Sequence, residues 1–92
     1  MSLVSVFAGT TENGHEVELE FDRSKLVLNT ARLRVDRREV DSENIFYGER
    51  ELSTSLPDGT DILVALHSGM VGELTRAQLR TGDGSWVDLI RR

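Results

Sequence analysis

The chain predicts a mainly β fold, a small antiparallel β-sandwich or partly open barrel of six to seven strands. Three observations carry this expectation. Apolar and polar residues alternate with period two in short runs, most cleanly in HEVELEFD, His15 to Asp22. Turn signals punctuate those runs at close spacing: Asn13-Gly14, Pro57-Asp58-Gly59 and Asp83-Gly84. Neither linker, repeat nor low-complexity segment divides the 92 residues, so residues 1–92 read as one domain with a small core.

Leu3 to Ala8 reads as the first strand, Val4, Val6 and Ala8 alternating with Ser5 and Phe7. After the Asn13-Gly14 turn, the second strand turns Val17, Leu19 and Phe21 inward and Glu16, Glu18, Glu20 and Asp22 outward. Lys25 to Asp36 reads as a long third strand that changes phase. Leu26 and Leu28 share one parity; Ala31, Leu33 and Val35 share the other. A bulge near Asn29-Thr30 reconciles them, and sets Arg32 and Arg34 on the outer face beside the acidic strand. Asp36 to Glu39 reads as a turn and Asp41 to Asn44 as a polar connection. Ile45-Phe46-Tyr47 reads as a short segment dropping its aromatics onto the core.

Glu51 to Ser68 organises the chain. Proline, aspartate and glycine in sequence suit a type I turn followed by a left-handed glycine, which closes a three-residue hairpin loop. Closing Leu56 against Thr60 sets Thr54 opposite Ile62, Leu52 opposite Val64 and Arg50 opposite Leu66. Leu52, Leu56, Ile62, Val64 and Leu66 then share one face. Leu63, Ala65 and His67 share the other, so Ile62 to Leu66 is apolar on both faces and calls for cover on the second. Next comes the loop Ser68 to Gly72, carrying Met70 and Val71. Thr75-Arg76-Ala77-Gln78 matches a capping box and predicts one short helical turn over 76–80. A final strand follows from Trp86 to Ile90. The phrases Val35 to Val40 and Asp83-Gly84-Ser85-Trp86 resemble hairpins of the Fas apoptotic inhibitory molecule family of β-sandwiches. The resemblance covers scattered positions, assigns no family and carries over no functional residue.

Composition narrows the function. A net charge of −5 and a pI near 4.9 disfavour nucleic-acid and anionic-membrane partners, since phosphate affinity is mostly electrostatic. The absence of cysteine excludes disulfides and thiol catalysis and suits the cytoplasm. Ten arginines against one lysine point to a GC-rich bacterial genome.

Candidate chemistry is sparse. His67, Ser68 and Asp61 contain the residue types of a nucleophilic triad, but neighbouring residues on a strand point opposite ways. His15 alternates away from Glu16, Glu18 and Glu20, so no metal site is expected. Neither a phosphate-binding glycine loop nor a catalytic cluster stands out, and the chain is expected to be no enzyme and to hold no cofactor. Three functional expectations remain. The first is a non-catalytic protein-interaction module, self-associating as a homodimer through Leu63, Ala65, His67, Met70 and Val71. The second is a small-ligand pocket between the sheets, lined by Phe46, Tyr47, His67 and Trp86. The third is phosphate or RNA contact through Arg32, Arg34, Arg37 and Arg38. Acidic Asp36 and Glu39 within that cluster, and the expected pairing with Glu16, weigh against it.

Overall fold

The computed structural model describes residues 3–24, 28–69, 73–82 and 84–92. Nine strands run through them: β1 (Val4–Thr10), β2 (Glu16–Asp22), β3 (Asn29–Val35), β4 (Arg38–Ile45), β5 (Gly48–Ser55), β6 (Asp61–Ser68), β7 (Leu74–Arg80), β8 (Trp86–Asp88) and β9 (Ile90–Arg91). They build a β-sandwich of two antiparallel sheets, one in the order β4-β3-β2-β1-β9 and one in the order β5-β6-β7-β8. Most neighbours in sequence are neighbours in space. The last strand changes sheet at Leu89, which is buried at the corner, its N–H donating to the Ala77 carbonyl at 2.9 Å.

Because the strands run alternately up and down, the turns after β1, β3, β5 and β7 gather at one end. Three of them share one construction. In Thr11 to His15, Leu56 to Thr60 and Thr81 to Ser85, the first N–H donates to the fifth carbonyl and the fourth N–H to the first carbonyl. The fourth residue is a glycine with φ near +90° in each, Gly14, Gly59 and Gly84, a conformation open to glycine at no steric cost. The β5–β6 register follows from its turn as expected, with Thr54 opposite Ile62, Leu52 opposite Val64 and Arg50 opposite Leu66. The β3–β4 turn differs: Asp36 and Arg37 both carry positive φ, 51° and 68°.

The core lies between the sheets. Val17, Leu19, Phe21, Ala31, Leu33 and Val35 face Leu52, Ile62, Val64, Leu66 and Leu79, all nearly free of solvent. From β1 it is Phe7 that packs inward, opposite Leu19; Val4, Val6 and Ala8 pair with the acidic residues of β2 on the outer side.

Five expectations need correction. Residues 76–80 form no helical turn; they belong to β7, paired on both sides. Thr75 is an extra residue in that strand, since His67 pairs with Arg76 and Ser68 with Leu74. The bulge swaps faces, so that Leu74 and Ala77 both turn toward the core. Residues 38–45 are a continuous edge strand, not a turn and a polar connection. The bulge serving β3 lies across the ladder at Val40, not at Asn29-Thr30, because Leu33 pairs with Asp41 and Arg34 with Glu39. Phe46 and Tyr47 bridge the two sheets between β4 and β5 and are 64% and 54% exposed, so neither drops onto the core. The strand count is nine rather than six to seven because β4, β7 and the division of the last strand were not expected.

Candidate functional site

The two outer faces of the sandwich carry the chain's polar chemistry. On the five-stranded sheet the ladder sets Glu20 opposite Arg32 and Glu18 opposite Arg34. Adjacent antiparallel strands lie about 4.8 Å apart, so such residues touch. Glu20 accepts from Arg32 at 2.7 Å and from Arg34 at 2.9 Å. Arg34 and Arg32 hold the Glu20 carboxyl below its ordinary range against the opposing effect of burial. Arg32 also reaches Asp22 and Glu39, and Arg92 pairs with Glu16 and Glu18. The pairing of Arg32 and Arg34 with the acidic strand is thus through Glu20 and, for Arg32, Asp22; Glu16 is taken by Arg92. Of the four cluster arginines, two are neutralised in this network, while Arg37 sits in the turn and Arg38 opens β4, both exposed.

The four-stranded sheet is arranged otherwise. The register places three rows on its outer face. Glu49, His67 and Arg76 form the first; Glu51, Ala65, Gln78 and Asp88 form the second. The third contains Ser53 and Leu63 on one side and Arg80 and Trp86 on the other. Leu63 and Ala65 are half-buried, and no described strand lies over them. On one flank, acids line the β5 side: Glu49, Glu51 and, from the edge of β4, Glu43. On the other flank lie Arg76, Arg80 and Trp86, the indole 41% exposed. Arg50 belongs to the acidic side in sequence, yet its Nη1 donates to the Glu49 carbonyl at 2.7 Å. Asp88, the acid of the basic flank, accepts from Gln78 at 3.0 Å. Glu49, Glu51, Arg76 and Arg80 enter no ion pair among the described residues.

A depression of 780 Å³ opens over this face, lined by Glu49, Ala65, His67, Arg76, Gln78 and Trp86 among others. The Thr75 hydroxyl donates to the His67 carbonyl at 3.1 Å and lies 2.5 Å from His67 Nδ1. A hydroxyl has one proton to give, so Nδ1 must supply the proton of the shorter contact, and Nε2 is left as the ring's other polar atom. A larger cleft of 1160 Å³ lies toward the turn end, among Thr10, Asn13, Ser55, Thr60, Leu63 and Arg80.

At that end His15 joins three turns. Its Nδ1 lies 2.7 Å from Asp36 Oδ2 and its Nε2 2.9 Å from Asp58 Oδ2. Ionised carboxylates only accept, so satisfying both contacts requires both ring nitrogens to carry protons. The hydrogen bond to Asp36, then that to Asp58, raises the His15 pKa; the same contact brings Asp58 down to about 2 and lowers Asp36. Asp36 also accepts from the Glu16 N–H, and Asn13 donates to Thr60 at 2.7 Å.

The residues singled out in sequence therefore separate. Leu63, Ala65 and His67 lie side by side on the outer face. Met70 and Val71 lie outside the described residues. His67 and Trp86 share the depression, but Phe46 and Tyr47 do not line it, so the four are not gathered in one cavity between the sheets. His67 faces outward while Ser68 is fully buried, and Asp61 is engaged by the Ser55 hydroxyl. Among the described residues no group of three or more His, Asp or Glu side chains is placed to hold a metal ion. Missed in sequence were Glu49, Glu51, Arg76 and Arg80. The signal was present, because Arg76, Gln78 and Arg80 share one parity, but the capping box concealed it. No protein-family model matches this chain, and neither a curated protein nor a solved structure matches it.

Proposed function

We propose that the chain is a non-catalytic protein-interaction module that self-associates through the outer face of its four-stranded sheet. One observation carries the reading: among the described residues this face leaves charges of both signs without an ion pair around a half-buried apolar strip, Leu63 and Ala65, with Trp86 beside it. Interface centres are rich in aromatic and arginine side chains, and Trp86 with Arg76 and Arg80 fits that composition. The test is molar mass by light scattering over a concentration series, for the wild type and for Leu63→Glu. A wild-type dimer and a folded, monomeric variant support the reading. A wild type that stays monomeric overturns it, as does a dimer indifferent to the substitution.

A second reading, a small-ligand site, draws on the depression that His67 and Trp86 share. Arg76 would take a carboxylate there and the indole a planar ring. Benzoate is a direct probe, followed by fluorescence of Trp86, the sole tryptophan. An emission unchanged to saturating benzoate ends this second reading.

A further inference from the structure

We infer that the occupant of the outer face is a second copy of this chain, laid on it about a two-fold axis parallel to β6. Glu49 and Glu51 of each copy then meet Arg76 and Arg80 of the other. This rests on the self-association reading and specifies its geometry.

The argument begins with sequence parity. In β5 the outward residues are Glu49, Glu51, Ser53 and Ser55; in β7 they are Arg76, Gln78 and Arg80. Between them β6 turns out Leu63, Ala65 and His67. Acids and arginines thus stand two strands apart, roughly 9.6 Å, too far for direct contact across the same face. The separation comes from the apolar strand itself, so among the described residues the acids of β5 and the arginines of β7 do not pair with one another.

A self-complementary face allows two simple symmetric arrangements. With the two-fold axis across the strands, β5 lies on β5 and the acids of both copies oppose each other. That arrangement is repulsive. With the axis along β6, β7 of one copy lies over β5 of the other. Glu49 then faces Arg76, its partner in the first row, and Glu51 lies between Arg76 and Arg80. Leu63 and Ala65 meet their own counterparts on the axis. Ser53 and Ser55 are small and stand at the level where the second copy brings in Trp86. Charge sign thus selects the axis along β6, as complementary potentials fix register in other interfaces.

The size of the face sets the strength. With strands about 4.8 Å apart and residues about 3.3 Å apart, the four strands, of which β8 is short, give a face of roughly 400 Å² per copy. Two such faces reach roughly 800 Å², in the range of weak, transient interfaces, so the dimer is expected to exchange and to weaken with salt.

The experiment is a charge swap. One variant carries Glu49→Arg and Glu51→Arg; the other carries Arg76→Glu and Arg80→Glu. Each alone is expected to raise the dimer dissociation constant at least about tenfold, since like charges then oppose across the axis. Mixed in equal amounts, the two should form a heterodimer, because acid then meets base on both flanks of the interface and the repulsion of each homodimer is gone. Sedimentation with one variant fluorescently labelled reads this directly. If Leu63→Glu dissolves the wild-type dimer but neither charge variant does, the face is right and the axis is wrong. Two monomeric variants that fail to combine also overturn the axis. A wild type that is monomeric throughout removes both this inference and the reading beneath it. Should a reversed variant lose its folded near-ultraviolet signal, Glu49→Gln/Glu51→Gln and Arg76→Gln/Arg80→Gln replace the two. Each must then weaken the dimer, and a dissociation constant unchanged in both overturns the inference.

Discussion

Both outer faces of the sandwich carry acids and arginines, and they place them in opposite ways. On the five-stranded sheet, acidic β2 lies directly beside β3, and Glu20 closes on Arg32 and Arg34 within hydrogen-bond distance. On the four-stranded sheet, acidic β5 and basic β7 are held apart by β6, whose outward residues are apolar. Adjacency of strands decides the difference. One strand spacing permits contact, whereas two spacings reach roughly the screening length of physiological salt. The first face pairs its acids and arginines within the chain, while on the second Glu49, Glu51, Arg76 and Arg80 enter no ion pair among the described residues.

The largest effect should come from the two sides of β6. Leu66 is nearly fully buried and Leu63 only half so. Leu66→Ala is expected to cost about 2–5 kcal/mol in urea unfolding, from lost transfer energy and the cavity left behind. Leu63→Ala should cost less than about 1 kcal/mol in a dilute, monomeric sample, yet shift the monomer–dimer balance. Equal losses of stability at the two positions would show that β6 has no open face.

Next comes the charge contrast. Glu20→Ala removes the partner of two partly buried arginines and is expected to cost about 1–2 kcal/mol, above the usual worth of an exposed pair because the network is shared. Glu51→Ala in the dilute monomer should stay within about 0.5 kcal/mol, as surface substitutions do. Chemical unfolding of both variants at one ionic strength checks the pair. A Glu51→Ala loss as large as that of Glu20→Ala would erase the distinction between the faces.

How much of this was readable before the structure depended on how local each determinant is. The β5–β6 register followed from five consecutive residues, Leu56 to Thr60, because turn chemistry and hydrophobic alternation agree there. The outward placement of Arg32 and Arg34 was also correct, although the bulge lay elsewhere. β4 was unreadable for a physical reason: as an edge strand with a bulge at Val40 it has no single buried parity. β7 was misread because Thr75 offers a helix cap locally, whereas the ladder with β6 and β8 and the His67 contact outweigh it. The His15 cluster joins residues 21 and 43 positions away in sequence. Its only sequence sign was that alternate hairpins of a meander turn at the same end.

That cluster is where the two halves of the molecule are tied, and pH should reveal it. The folded His15 pKa lies above its ordinary 6.5. Its stabilising contribution is therefore complete below the unfolded value and is lost as pH rises through the folded one. Asp36 and Asp58 behave oppositely: their pKa values are lowered, so their contribution is present above the ordinary 3.8 and is lost as pH falls through the folded values, about 2 for Asp58. Thermal stability should thus be greatest between these limits and fall by a few degrees on the alkaline side. His15→Gln should flatten that alkaline fall. An identical profile in the variant would mean that the clamp does not hold the sheets together.

The smallest effect concerns the turns themselves. The two hairpin turns of the four-stranded sheet place glycine where φ is positive, while the β3–β4 turn places Asp36 and Arg37 there. A residue with a side chain is disfavoured in that conformation by roughly 1 kcal/mol or more. Arg37 enters no ion pair among the described residues, so Arg37→Gly should relieve this cost, partly offset by the greater freedom of glycine in the unfolded chain. The net gain is expected to be about 0.5 kcal/mol. Asp36→Gly relieves the same backbone cost but deletes the carboxylate that holds His15 and the Glu16 N–H, so it should lose stability. Opposite signs at adjacent positions, read as shifts of the urea midpoint, would show that this sheet keeps a strained turn for the sake of one side chain. A gain at both positions would mean that the carboxylate at Asp36 contributes less than the conformation it requires.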